Sequence, residues 1–212
     1  MPTTMSEAWP YDRLGQPRLR SGSERTRSTI LHAAASLAAA DGLESVSIGS
    51  LALIIGMNKK GLYALFGSEQ GLHLAIVEEA ARIFAEEVVQ PALAAPPGLP
   101  QLAAVCEAFF AHLERRTFPG GCFMAGVALE VGGRPGPVGK LIAEFQAGFG
   151  ALIRGFAAAA LARSELAAGE DPDRLAFELN GIMLATDTNF VEHDDPAVLD
   201  LARQIVRQRL AG

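Results

Sequence analysis

Residues 47–66 read SIGSLALIIGMNKKGLYALF. Ile48, Leu51, Ala52 and Ile55 recur at the i, i+3, i+4, i+7 spacing of one helical face, behind Ser47, whose hydroxyl suits an N-cap. Gly56 breaks the run. Asn58 then stands where it can cap a second short helix that continues through Leu62, Leu65 and Phe66. This second helix opens with Lys59 and Lys60 and carries a glycine, Gly61, in its interior, where glycine costs roughly 1 kcal/mol relative to alanine. Two short helices joined by a tight glycine turn, the second led by polar and basic residues, make a helix-turn-helix, whose second helix enters the major groove of DNA. Ala52 lets the helices approach, and Leu62 and Leu65 are expected to hold their crossing.

The rest of the chain repeats helical signals and shows no convincing strand alternation, so the fold class is all-α. Upstream, ERTRSTILHAAASLAAADG places Ile30, Ala34 and Leu37 on one face and ends at Gly42, where a C-terminal cap belongs. Downstream, Ser68 caps a long helix with the stripe Leu72, Ile76, Ala80 and Ile83, which Pro91 and APPGLP are expected to end. QLAAVCEAFFAHLERRT is a fifth helix stopped by FPGG. CFMAGVALEVGG reads as a strand or a short helix by periodicity, and the helical context favours the helix. A long helix is expected from about Val138 to Leu166. Asp171-Pro172 and Asp195-Pro196 pair an N-cap with a first-turn proline and open two final helices, about 172–191 and 196–210.

Composition bounds the function. At 212 residues with half of them apolar and 20% charged, the chain is long and apolar enough for one or two globular domains. No stretch approaches 18 unbroken apolar residues and the start lacks a secretory pattern, so a soluble, cytoplasmic protein without membrane partners is expected. Cys106 and Cys122 are too few for a disulfide framework and read as buried free thiols. The net charge of −6 is uneven: residues 1–66 carry 7 Lys/Arg against 5 Asp/Glu, and residues 67–212 carry 11 against 19. Two of the three lysines are the adjacent pair Lys59 and Lys60. A mildly basic front on an acidic body fits a DNA reader attached to a different domain.

The ordered skeleton SI..LA...GM.K.GLY..F.S...L, together with the preceding TRSTILHAAASLAAADG, closely resembles the N-terminal domain of the tetracycline-repressor (TetR) family over about residues 24–85. The resemblance implies a flexible arm at 1–23, a DNA-binding domain at 24–85 with its helix-turn-helix at about 47–66, and a ligand-binding and dimerisation domain at 86–212. It puts Asn58, Lys59, Lys60 and Gly61 at the front of the recognition helix, Tyr63 at a phosphate-contacting position, and Ser47 at the hydroxyl that caps the preceding helix and touches the backbone. Lysine donates to guanine O6 and N7 or pairs with phosphate, and Asn58 can pair with adenine if it is free of capping duty. Arg25 and Arg27, at the start of the first helix, reach DNA backbone or minor groove, with Arg18 and Arg20 on the arm. Three positions depart from the family pattern: Gly49 replaces a polar residue, Leu65 a frequent histidine, and Glu69 a frequent lysine.

For the body, the resemblance implies an effector pocket between long helices and a homodimer through the last two. The apolar and aromatic lining is expected from Phe109, Phe110, Leu113, Phe123, Phe145, Phe149, Phe177 and Met183, with Asn180 and Asp187 as polar groups inside an apolar helix, suiting a largely apolar small molecule. Core packing is the alternative for each ring. EHDD, residues 192–195, has metal-capable groups, but Asp195 fits an N-cap, and neither metal nor cofactor is expected. No ordered Ser/His/Asp set or glycine-rich phosphate loop marks an enzyme. The expected partners are double-stranded DNA, an unidentified effector and a second copy of the chain, in a ligand-released repressor of a palindromic operator. The rival is a ligand-sensing or scaffold helical protein that has lost sequence-specific DNA binding.

Overall fold

The computed structural model describes residues 22–211, with side chains described from Thr26 onward. Arg18 and Arg20 lie outside the described residues, as does the side chain of Arg25. Among the described residues every regular element is a helix: α1 Gly22–Asp41, a 3₁₀ turn Leu43–Ser45, α2 Ile48–Ile55, α3 Lys59–Phe66, α4 Glu69–Phe84, a π-turn Ala85–Val89, α5 Gln90–Ala94, α6 Leu99–Glu114, α7 Phe123–Val131, α8 Pro137–Ala162, α9 Pro172–His193 and α10 Ala197–Leu210. The ambiguous CFMAGVALEV segment is thus helical.

Two boundaries differ from the sequence pattern. Pro91 does not stop the fourth helix; the backbone stays helical through the π-turn and α5 to Ala94. Proline lacks the N–H an α-helix needs and collides with the carbonyl four residues back, and the wider π-turn just before Pro91 relieves both demands. The eighth helix ends at Ala162, short of Leu166. Ser164 takes a left-handed backbone, with φ 57°. Glu165 pairs there with Arg163 and accepts the Leu99 N–H at 2.7 Å, so the chain turns off the helix axis.

The chain forms two compact units. One comprises residues 22–83 and 118–144 of the described chain, the other residues 84–117 and 145–211. The sequence reading divides the chain at 85/86, whereas here α7 and its flanks belong with the first four helices.

In the first unit the core is built from Leu31, Ala34, Ala35, Ile48, Leu51, Leu62, Leu72 and Ile76, all buried. Beside it Glu79 is buried, accepts from Ser28 Oγ at 2.6 Å, and holds Arg82 through two nitrogens at 2.7 and 2.9 Å, binding α1 to α4. A buried carboxylate is stable only when paired in this way. In the second unit, α6 packs on the α5 region and on α9 and α10, which also pack on each other, around a core of Phe84, Phe109, Phe110, Leu152, Phe156, Leu175 and Leu179. Cys106 and Cys122 are both buried and outside any disulfide, and burial, reinforced by the charge of Glu107, pushes the Cys106 thiol up to about 12. By length and composition α8 is apolar enough to cross a membrane, but Phe145, Phe149, Leu152, Ile153, Phe156 and Ala157 along it are buried within the protein.

Candidate nucleic-acid interface

The helix-turn-helix is built from its ends. Ser47 Oγ accepts the Ser50 N–H at 2.9 Å and Ser50 Oγ accepts the Ser47 N–H at 2.9 Å, a reciprocal cap that starts α2. Gly56 closes α2 in the left-handed region, with φ 69°, which a side chain resists. Asn58 Oδ1 accepts the Gly61 N–H at 2.7 Å and starts α3. These caps matter because both helices have eight residues, too few to be stable unaided.

The fourth helix holds the front of the second. Glu69 Oε2 accepts the Ile48 N–H at 2.7 Å, and His73, one turn later, donates from Nε2 to the Val46 carbonyl at 2.8 Å. Glu69, which the family pattern marks as a departure, therefore satisfies a helix-start donor that Ser47 leaves open. From the other side, Glu130 on α7 accepts the Leu43 and Glu44 N–H groups at 2.7 and 2.9 Å, and Arg134 pairs with Glu44 at 2.6 Å. The backbone partners of Glu69, His73 and Glu130 are not legible in the sequence, because nothing local shows that a carboxylate 21 or 87 residues away will meet a particular backbone amide.

Two expectations for the reader are corrected, and a third residue, Arg27, has a packing contact besides its expected one. Asn58 is not free to pair with adenine, because its acceptor oxygen is consumed by the cap. Leu65 does not hold the helix crossing: it is 41% exposed, and Leu62 with Phe66, four residues apart, form the buried stripe. Arg27 is half-buried with its guanidinium 5.4 Å from the Phe66 ring centroid, so it braces α3 from α1. Lys59, Lys60 and Tyr63 are exposed, as DNA contacts require. The Lys59 ammonium lies 3.4 Å from where a Cβ at Gly49 would stand, so the small residue at 49 leaves room for that lysine. A Cβ at Gly61 would stand 3.3 Å from Asn58 Oδ1, so this interior glycine keeps the cap uncrowded.

The predicted pocket residues separate. Phe109, Phe110, Leu113, Phe145, Phe149, Met183 and Asp187 are buried in the second unit, and Asn180 is half-buried there. Phe84 gathers the rings of Phe109, Phe145 and Phe149 at centroid distances of 6.3, 5.2 and 5.1 Å. Phe123 is not with them; it packs in the first unit against Phe118 at 5.7 Å. Phe177 is 79% exposed on α9 and lines no interior, because Leu175, Ala176 and Leu179 occupy the buried face of that helix. Phe110 also borders a half-open groove of about 380 Å³ between α6 and α10, with Cys106, Val206 and Leu210.

Residues 98–206, just over half of the chain, match the family model of the tetracyclin repressor-like C-terminal domain. The chain belongs to the TetR family. The match falls on the helical body and thus complements the N-terminal skeleton. TetR-family folds also recur among solved structures. A TetR transcriptional regulator from Chloroflexus aurantiacus superposes with a TM-score of 0.80 at 22% identity, over 88% of this chain and 94% of its own. A TetR-family regulator from Cytophaga hutchinsonii gives 0.78 at 17%, over 92% and 98%. AibR, solved with isovaleryl coenzyme A and operator DNA, gives 0.69 at 20%, over 87% and 98%. A comparison with curated proteins finds no match. In this TetR-family transcriptional regulator the helix-turn-helix lies in the first unit. Among the described residues, no group of His, Cys, Asp or Glu is placed to hold a metal ion.

Proposed function

We propose that the protein is a transcriptional repressor that binds a near-palindromic operator as a homodimer and is released by a small, largely apolar effector. The observation that carries the reading is the capped helix pair at 47–66, with Lys59, Lys60 and Tyr63 exposed on α3 while Leu62 and Phe66 dock it. Ser47 adds a hydroxyl at the start of α2. A TetR-type dimer sets its half-sites roughly 34–36 Å apart.

Dimerisation is supported by the second unit. Phe177, Leu184 and Val191 recur every seven residues on α9 and are exposed, as are Leu201 and Ile205 on α10. An apolar stripe of that length is what a second copy covers in a helical interface. AibR supplies a precedent on this fold for an acyl ligand together with operator DNA. For the effector we retain Phe109, Phe110, Leu113, Phe145, Phe149, Asn180, Met183 and Asp187 as the lining set. Effector binding favours a body conformation in which α4 carries the two readers out of register, and it shifts that balance only by its differential affinity for the two states.

Fluorescence anisotropy on DNA fragments flanking the protein's own gene, at two salt concentrations, tests the reading. Sequence-selective binding that weakens as salt rises is expected, and Lys60→Ala and Tyr63→Ala each weaken it. Indifference to sequence would leave the rival, a helical ligand sensor that does not read DNA. Phe177→Asp is expected to yield monomer by light scattering.

A further inference from the structure

The chemistry displayed by α3 is one-sided. Of its eight residues, Leu62 and Phe66 are buried and Gly61 has no side chain. The exposed set is Lys59, Lys60, Tyr63, Ala64 and Leu65: two ammonium groups, a phenol and two aliphatic groups. The side-chain acceptors at the ends of α2 and α3 are already engaged. Asn58 Oδ1 takes the Gly61 N–H, Ser47 Oγ the Ser50 N–H, Ser68 Oγ the Gly71 N–H, and Glu69 Oε2 the Ile48 N–H.

Base edges in the major groove sort cleanly against such a surface. Adenine N6 and cytosine N4 are donors and need an amide or carboxylate acceptor; guanine alone presents two adjacent acceptors, N7 and O6, to an ammonium group, whereas adenine N7 and thymine O4 are single acceptors and thymine adds a methyl group. Leu62 and Phe66 define the docked side of α3. At 100° per residue Lys60 and Ala64, four apart, stand together on the opposite side, with Leu65 next around the helix.

We propose that α3 reads its half-site through guanine acceptors and thymine methyl groups, with Lys60 donating to guanine, Ala64 and Leu65 packing on thymine methyls and the exposed Tyr63 hydroxyl spent on phosphate, so that adenine and cytosine amino groups are not read. Leu65 is then a specificity-determining residue and not a gap in the family pattern. The proposal rests on the DNA-reading function above and specifies what that site recognises.

Operators selected by the full-length protein from random duplex DNA supply the probe. Each half-site thymine is replaced in turn by deoxyuridine, which removes only the methyl group, and each guanine by 7-deazaguanine, which removes N7. At least one deoxyuridine substitution per half-site is expected to weaken binding about fourfold, the scale of one buried methyl. Leu65→Ala is expected to reduce that sensitivity, and Lys60→Ala to abolish the 7-deazaguanine effect. Both positions are exposed, so circular dichroism is expected to show unchanged folding. Selective binding that ignores both replacements overturns the proposal while leaving DNA reading intact. Failure to enrich any sequence overturns the DNA-reading function and the proposal with it.

Discussion

In the unit that carries the reader, short helices are pinned by side chains bonded to backbone: Ser47, Asn58, Glu69, His73 and Glu130 each hold an N–H or carbonyl at a helix end or turn. In the unit of residues 84–117 and 145–211, long helices close on rings, with Phe84 at the edge of Phe145 and Phe149 and Phe109 beside Phe110. The difference follows from length. An eight-residue helix buries two or three side chains, so directional polar contacts must fix its position, whereas a helix of 22 to 26 residues is fixed mainly by burial. Directionality suits a reader whose side chains must meet base edges. Aromatic packing suits a body whose helices have only to stay together.

The strongest way to separate the two modes is to empty the ring cluster. Phe84→Ala removes the ring shared by Phe109, Phe145, Phe149 and His112, and is expected to destabilise the protein by about 3–5 kcal/mol, read from the urea midpoint. If the loss stays below about 1 kcal/mol, the rings are not the support claimed for them.

Polar support in that second unit includes the Arg203 and Arg209 ion pairs and Glu87, in the π-turn. Burial raises its pKa, but hydrogen bonds from His112, Thr117 and Arg115, with the His112 charge, outweigh it and lower the group from 4.5 to about 2. A folded pKa below the unfolded one contributes stability that is complete above about 4.5 and lost as pH falls toward 2. Because the side chain is partly exposed, the effect is at most about 3 kcal/mol. Glu87→Gln is expected to flatten the acid limb of a stability–pH profile between those values, and an unchanged limb would remove Glu87 from the acid response.

In the reader's unit, Glu130→Ala is expected to cost about 1–2 kcal/mol and to accelerate amide exchange at Leu43 and Glu44, the two N–H groups it holds. If exchange at those amides stays slow, the contact is not what fixes the turn. The smallest effect distinguishes capping from base reading. Asn58→Ala is expected to cost about 1 kcal/mol, whereas Asn58→Ser, which keeps a cap, is expected to preserve both stability and operator affinity. A large affinity loss in the serine variant would restore Asn58 as a base contact.

Most of the helix order was legible because it depends on spacing within a few residues. Ser47, Gly56, Asn58, Ser68 and Asp171 occupy the caps and the turn their side chains suit. Misreadings came where the determinant lies elsewhere. Leu65 and Phe66 are adjacent and both apolar, and only the docking of α3 decides that Phe66 is covered while Leu65 is not. Phe177 reads as pocket or core by hydrophobicity, yet α9 buries another face. Glu69 looks like a charge misplaced against phosphate until the Ile48 N–H is found beside it.

The sequence by itself determined the all-helical class, the helix-turn-helix with its caps, and family membership, because periodicity and capping act through residues three or four positions apart. Only the tertiary structure decided that Asn58 is spent on a cap, that α7 joins the reader through Glu130, and that α3 turns Lys59, Lys60, Tyr63, Ala64 and Leu65 outward. These depend on which side chains meet across long stretches of chain, and short-range spacing does not encode such meetings.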